Sequence, residues 1–470
     1  MISLMDAKRP RQGRGWSLGL ALLLIGAALL AVACKGGGQD DGNGQTPSNG
    51  PITITLWHSM RSPYEAFLKG IIDKFNASQS AYKVEAIYQG SYTDSLNKLI
   101  SSIGSGDAPA LIQLDDVSTQ IMIDSDEITP VQDLVDEDDY DLSDFDPKAL
   151  AYYRVDGKLY SMPFNLAGPI LLYDKEDFSE AGLDPAEPPR TLEEVRAFAE
   201  RLVKRDGDGK VTRNGIALQV SAWFFEQMLA KQGALYVNND NGRDGRATEA
   251  LFAEAEGEAI ITWYRDMVRD GLAYYAKDDT DALLSVAQDR TSMSIGSTAV
   301  LGAASLLVAV AGQDPARLGA GPMPAPEPPA GKEGGVILGG ASLWILRGSS
   351  EQEQRGAWEF IKFASQPEQQ AQWYANTGYF PTRLSAYDLP AAQQQTQKYP
   401  QFKTAVEQVR NSSDNPATQG PLLGPFNQVR SRVSRAFEQV ITGGAEPANE
   451  LQSAARDATK DMQDYNRTVK

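Results

Sequence analysis

Tyr160-Ser-Met-Pro-Phe-Asn-Leu-Ala-Gly-Pro-Ile-Leu-Leu-Tyr-Asp-Lys175 is the stretch from which the rest of the chain reads. Pro163 and Pro169 lack backbone donors, so the run cannot be one central strand throughout. Between them, Ala167 and Gly168 are small enough for another backbone or a ligand to come close. Beyond Pro169, Ile170 to Tyr173 reads as a short buried strand. Two readings are open: an ordinary loop-to-strand junction, or an extended crossing between two lobes that opens onto a cleft.

The chain has 470 residues, enough for two or three domains with substantial cores. Its formal charge of −18 argues against a nucleic-acid partner, which needs basic surface to neutralise phosphates. The first residues read as an address. Arg9, Arg11 and Arg14 form a positive region, Leu18 to Leu30 an apolar run, and Ala31-Val-Ala33 a small-residue exit before Cys34. A retained anchor helix is one reading. The other takes residues 1–33 as a signal peptide and Cys34, the chain's single cysteine, as a lipidated residue. Leu30-Ala-Val-Ala-Cys34 resembles a bacterial lipobox, with Ala31 in place of the commoner leucine. Two acyl chains on one residue give stable anchoring. Residues 34–51 then form a lipid-bearing, Gly/Asp/Asn-rich tether, and the protein sits at the outer face of the cytoplasmic membrane.

From Ile52 the pattern turns globular. Ile52 to Leu56 is a short strand. Ser62-Pro-Tyr-Glu65 predicts a capping box, with Tyr64, Phe67, Leu68, Ile71, Ile72 and Phe75 as one buried helix face. Tyr82, Val84, Ala86 and Tyr88 alternate as a strand; Leu96, Leu99 and Ile100 mark a helix; Ala110 to Leu114 is a third strand. This β-α-β-α-β order means a mostly parallel sheet covered by helices. Thr191 and Glu194 predict a second capping box. The proline-rich run from Gly319 to Gly335 is a second crossing or an exposed loop. Phe426, Val429, Val433, Phe437 and Val440 mark a late helix.

His58 is the only histidine, so a Ser-His-Asp site would have no other base. No Cys or His cluster suits a metal, and no phosphate-loop motif occurs, so neither metal, cofactor nor ATP hydrolysis is expected. Asp206 to Lys210 reads as a polar turn rather than a calcium loop. A glycoside hydrolase using Asp115, Asp116 or Glu226 stays open. Adjacent acids such as Asp115 and Asp116 make a poor acid/nucleophile pair, but one of them can accept a ligand hydroxyl at a strand's carboxyl end. Trp57, Tyr92, Trp223, Tyr236, Trp344 and Tyr379 lie near candidate loops; aromatic faces stack on sugar rings. Trp344, Trp358 and Tyr264 are expected in the core.

Seven short tags occur in order: Leu56-Trp-His-Ser-Met60, Tyr88-Gln-Gly-Ser-Tyr92, Gly106-Asp-Ala-Pro109, Pro163-Phe-Asn165, Tyr173-Asp-Lys175, Gly339-Gly-Ala-Ser-Leu-Trp344 and Thr377-Gly-Tyr-Phe-Pro381. Together they resemble the extracellular solute-binding proteins of carbohydrate ABC importers, in particular the glycerol-3-phosphate-binding branch. The resemblance implies an α/β, two-lobe periplasmic-binding-protein-like fold of type II, with a hinge crossed more than once and no catalysis. It also implies a monomer that captures a small solute between its lobes and delivers it to permease transmembrane subunits served by a separate ATPase. Carried over by position, Tyr92, Asp116, Trp223, Ser297 with Thr298, Gly339 or Gly340, and Tyr379 would contact ligand. The chain departs from that branch where Ala167 replaces a serine and Leu422 an arginine. A phosphate without its guanidinium loses charge-assisted bonds of about 1.5–3 kcal/mol each. A neutral oligosaccharide or polyol therefore fits better, with glycerol-3-phosphate or its diesters as the alternative. The expected lobes are 52–166 with 320–375, and 167–319 with 376–470.

Overall fold

The computed structural model describes residues 50–299, 301, 308, 312 and 314–469. The expected signal peptide, Cys34 and nearly all of the expected tether lie outside them.

Two six-stranded sheets organise the chain. The first is built from β1 (Ile52–His58), β2 (Tyr82–Tyr88), β3 (Leu111–Asp115) and β4 (Ile128–Thr129). A small hairpin of β5 (Arg154–Val155) and β6 (Lys158–Leu159) precedes β7 (Met162–Ala167), which joins the same sheet. The second holds β8 (Pro169–Asp174), β9 (Lys204–Arg205), β10 (Val211–Gln219), β11 (Ala273–Ala276), β12 (Thr291–Ser297) and β13 (Leu318–Pro322). β14 (Gly339–Leu346) returns to the first sheet, giving the order β2-β1-β3-β14-β4 with β7 beside β14. Pairing is parallel among β1, β2 and β3 and among β10, β11 and β12. It is antiparallel where β14 meets β3, β4 and β7, and where β8 meets β12 and β13.

The opening stretch is thus two strands in two sheets, and Gly168 is the residue between them. Pro163 falls next to an irregularity in the β7–β14 register, where a missing donor does least harm. Thr298 clamps this crossing: its Oγ1 accepts from the Gly168 N–H at 3.2 Å, and its own N–H donates to the Gly168 carbonyl at 2.9 Å. The return runs through the proline-rich segment between β13 and β14, so that run is both a strand and a crossing.

Local expectations held where burial sets them. The Tyr64–Ser78 helix buries Leu68, Ile71, Ile72 and Phe75, and the Phe426–Gly443 helix buries all five positions of its stripe. Thr191 Oγ1 accepts from the Glu194 N–H at 3.1 Å while Glu194 accepts from the Thr191 N–H, closing the second capping box. The first box does not form. The helix begins at Tyr64 with Pro63 at its cap and no side-chain cap bond. Ser91 and Asp94 make a box that the reading above missed. β2 is the edge of its sheet, so its far half is uncovered and Tyr88 is exposed rather than buried.

The larger core reaches across both sheets, since Ile170, Leu172, Leu318 and Ala320 pack with the first sheet's residues. β13 keeps 320–322 in the second sheet. Phe380, Ala386, Phe402 and Val409 pack with the first core, and the second resumes at Leu423. Two contacts hold the 373–410 segment there. Trp373 lies 5.0 Å from the Phe164 ring, and the Phe380 N–H donates to the Leu166 carbonyl at 2.7 Å.

Candidate functional site

In open α/β sheets, ligands bind beyond the carboxyl ends of the strands, where side chains leave the sheet without strand partners. Here the carboxyl ends of both sheets' parallel strands meet one cavity of about 490 Å³. Ser59 follows β1, Tyr88 ends β2 and Asp115 ends β3; from the other sheet come Ser221 after β10, Asp279 after β11, and Ser297 at the end of β12.

Its polar wall is held by a relay. The Ser59 N–H donates to Gln113 Oε1 at 3.1 Å, Gln113 Nε2 to Asn165 Oδ1 at 2.6 Å, and Asn165 Nδ2 to the Tyr92 hydroxyl oxygen at 3.1 Å. With its oxygen accepting, Tyr92 keeps its O–H to donate to a ligand. Burial, then Tyr379, holds the Tyr92 hydroxyl well above its ordinary range, so it stays protonated.

Two carboxylates close β3. Asp115 accepts from the Ser118 hydroxyl at 2.6 Å, and Asp116 from the Val117 N–H at 3.0 Å. Burial and the neighbouring Asp116 charge push Asp115 up to about 6. Burial raises Asp116 too, opposed chiefly by Arg430. Both can accept hydroxyl protons near neutral pH.

The apolar wall is aromatic. Tyr379 stacks on Trp373 with centroids 5.9 Å apart and meets Tyr64 edge-on at 5.7 Å. Tyr64 in turn reaches the other wall, donating to the Ala299 carbonyl at 2.7 Å. Trp223 opens the Ala222–Lys231 helix over Gly339, where a Cβ would lie 2.9 Å from the indole nitrogen. Gly340 has φ +133° and a Cβ there would sit 2.2 Å from the Asn165 carbonyl oxygen, so only glycine lets β14 pass this close.

Of the residues expected to touch ligand, Tyr92, Asp116, Ala167, Trp223, Ser297, Gly340 and Tyr379 line this cavity, with Gly339 directly beneath Trp223. Gly168 and Thr298 form the crossing behind it. Leu422 is not at the cleft: it is buried, its N–H donates to the Asn241 carbonyl at 2.8 Å, and the loop around it turns into the second core. Trp57 faces a separate groove, and Tyr236 lies in the second core with Trp344, Trp358 and Tyr264 likewise buried. His58 is buried beside Tyr88 and not in the lining; burial lowers its proton affinity.

Reading the sequence missed Asn165's position in the relay, Asp279 and Arg430. Arg430 donates Nε and Nη2 to the two oxygens of Glu226 at 2.8 and 2.6 Å. The signal for it was a cation four residues after Phe426, beside an otherwise apolar stripe. Glu226 is thus tied to Arg430 through both oxygens and is not among the residues lining the cleft. Among the described residues no group of His, Cys, Asp and Glu could hold a metal ion.

A larger cavity, about 780 Å³, lies between the proline-rich crossing and the Gln401–Arg410 helix. It is not at the parallel strands' carboxyl ends and has Tyr173 as its single aromatic, so the smaller cleft is the better-built site.

The family described as bacterial extracellular solute-binding protein matches residues 70–404. The sn-glycerol-3-phosphate-binding periplasmic protein UgpB of Escherichia coli (strain K12) is 31% identical over 426 residues, 89% of this chain and 94% of its own length. The crystal structure of UgpB from Mycobacterium tuberculosis in complex with glycerophosphocholine superposes with a TM-score of 0.71 at 23% identity, covering 89% of this chain and 100% of that one. The GacH receptor of Streptomyces glaucescens, solved unliganded and with acarbose, gives 0.72 at 19% identity over 88% of this chain and 99% of its own. The fold is that of the type II, two-lobe binding proteins.

Proposed function

Because this chain belongs to the bacterial extracellular solute-binding proteins of ABC importers, we propose that its interlobe cleft captures a neutral oligosaccharide or polyol for delivery to the permease. One observation carries the reading. Stacking faces and hydroxyl acceptors converge at the strand ends, while the buried guanidinium beside them is already bonded to Glu226. Trp223 and Tyr379 supply apolar faces; Tyr92, Asn165, Asp115 and Asp116 supply donors and acceptors. Lobe closure would hide the ligand, and the permease would read the closed shape. A second reading, glycerol-3-phosphate or a glycerophosphodiester, is favoured by what the Escherichia coli relative is named for.

Ligand-dependent thermal stability separates them. Binding to the native state alone raises stability by about 2.7 kcal/mol at a hundredfold excess over Kd. A shift with a member of a mono-, di- and trisaccharide panel, and none with glycerol-3-phosphate, is the expected result; the reverse overturns the saccharide reading. An unchanged ligand, with no new reducing ends, is expected after incubation, as of a binder rather than a glycan-active enzyme. Trp223→Ala removes a stacking face and should weaken saccharide binding by about 2 kcal/mol, roughly thirtyfold, in a calorimetric titration.

We further propose that the mature protein is a monomer held at the outer face of the cytoplasmic membrane through lipid on Cys34. Among the described residues no helix is long and apolar enough to cross a membrane. Mass spectrometry of the wild-type protein from the membrane fraction should find a chain that starts at Cys34 and carries acyl chains there. An unprocessed N-terminus retaining residues 1–33 would argue for an uncleaved anchor instead.

A further inference from the structure

The cleft holds more carboxylates than its arginines balance. Asp115, Asp116 and Asp279 line it against Arg61 and Arg430, and Glu226 stands behind Arg430. Glu226 takes Nε and Nη2 of that guanidinium in the two-point geometry of the strongest arginine–carboxylate bonds. Both residues ride on helices of the second core. The Phe426 ring lies 4.9 Å from the guanidinium carbon, which fixes the side chain from its other side. Glu226 is only 2% exposed at its side chain, so water and salt screen its charge little. Asp115 and Asp116 add their attraction to the same guanidinium.

Resting on the cleft as the ligand site, we propose that Glu226 sets the charge class of the ligand. By occupying Arg430 it withholds a buried cation from phosphate groups, and the cleft admits neutral or amine-bearing saccharides and polyols. A phosphate entering here must displace Glu226 or bond to a guanidinium already neutralised, with Asp115, Asp116 and Asp279 facing it. A ligand ammonium gains from those same carboxylates. The device differs from simple absence of a phosphate-binding arginine: the arginine is present and held.

Glu226→Gln keeps the shape and an acceptor for Arg430 but removes the charge. Calorimetric titration of wild type, Glu226→Gln and Glu226→Gln/Arg430→Gln with sn-glycerol-3-phosphate and with inorganic phosphate tests the idea. Glu226→Gln should bind glycerol-3-phosphate at least about tenfold tighter than wild type, a gain the double variant loses. Wild-type binding of glycerol-3-phosphate that Arg430→Gln abolishes would overturn the proposal. So would a folded Glu226→Gln with no gain. Should that variant fail to fold by circular dichroism, Asp115→Asn removes a charge that acts on the same guanidinium from the facing wall, without stranding the arginine. It should give a gain of several-fold, and no gain would again overturn it. Thermal shifts with neutral saccharides report separately on the cleft reading itself.

Discussion

Replacing Arg430 by methionine should lower the unfolding free energy by about 3–5 kcal/mol, the cost of leaving one partner of a buried ion pair alone. The pair is well removed from water, with side chains 22% and 2% exposed for Arg430 and Glu226. Taking away the guanidinium leaves the Glu226 carboxylate, only 2% exposed, without its partner. It also removes the attraction that offsets burial at Asp116. Glu226→Leu together with Arg430→Met should recover most of the loss, since a well-packed apolar pair is often neutral or better than a buried ion pair. Urea unfolding monitored by tryptophan fluorescence measures both. A single-variant cost below about 1 kcal/mol would mean that water reaches the pair, against the closed geometry described above.

Stability without ligand should fall as pH rises from about 4 to 6, and Asp115 is the reason. Its folded value is pushed up to about 6 by burial and Asp116, whereas an unfolded chain titrates near the ordinary aspartate value of 3.8. Between those values the folded state binds more protons than the unfolded, so raising pH disfavours folding. The contribution is intact below the unfolded value and lost once pH passes the folded one. At about 1.4 kcal/mol per unit, the loss is roughly 2–3 kcal/mol. Asp115→Asn should therefore stabilise the protein at pH 8 by that order and make little difference below pH 4, because asparagine can still accept from the Ser118 hydroxyl. Denaturant melts of both proteins across pH 3.5 to 8 check the sign. A ligand whose hydroxyls bond Asp115 would recover part of this cost, so an acid kept at some expense to the empty fold is suited to a binding role.

Much of the fold was legible because burial writes it into spacing. Two prolines around two small residues left a junction and a crossing both open at Gly168, and the helix faces followed from apolar positions three and four apart. The cleft lining was legible where it sits on local tags: Tyr92 after Gly-Ser, Asp116 at a strand end, the bare Gly339-Gly340 pair, Tyr379 before Phe-Pro. What escaped was set by three-dimensional neighbours. Ser62 looked like a cap, yet the helix starts two residues later with no side-chain bond at its cap. Leu422 holds its place in chain order, but order does not fix direction, and the Asn241 carbonyl draws its backbone into the second core. Arg430 reads as the solvated edge of a helix until Glu226, some 200 residues earlier, is brought against it. Phe380 and Phe402 likewise pack with the core they touch rather than with the crossing they follow.

Hydrogen exchange with and without the saccharide that gives the largest thermal shift tests the central claim most directly. Capture between the lobes predicts slowed exchange on both walls at once: around Ser59–Tyr64, Tyr88–Tyr92 and Asp115–Val117 on one side, and Ser221–Phe224 and Ser297–Ala299 on the other. Protection confined to one wall, or centred on Lys332–Val336 and Thr404–Ser413 beside the larger cavity, would contradict it.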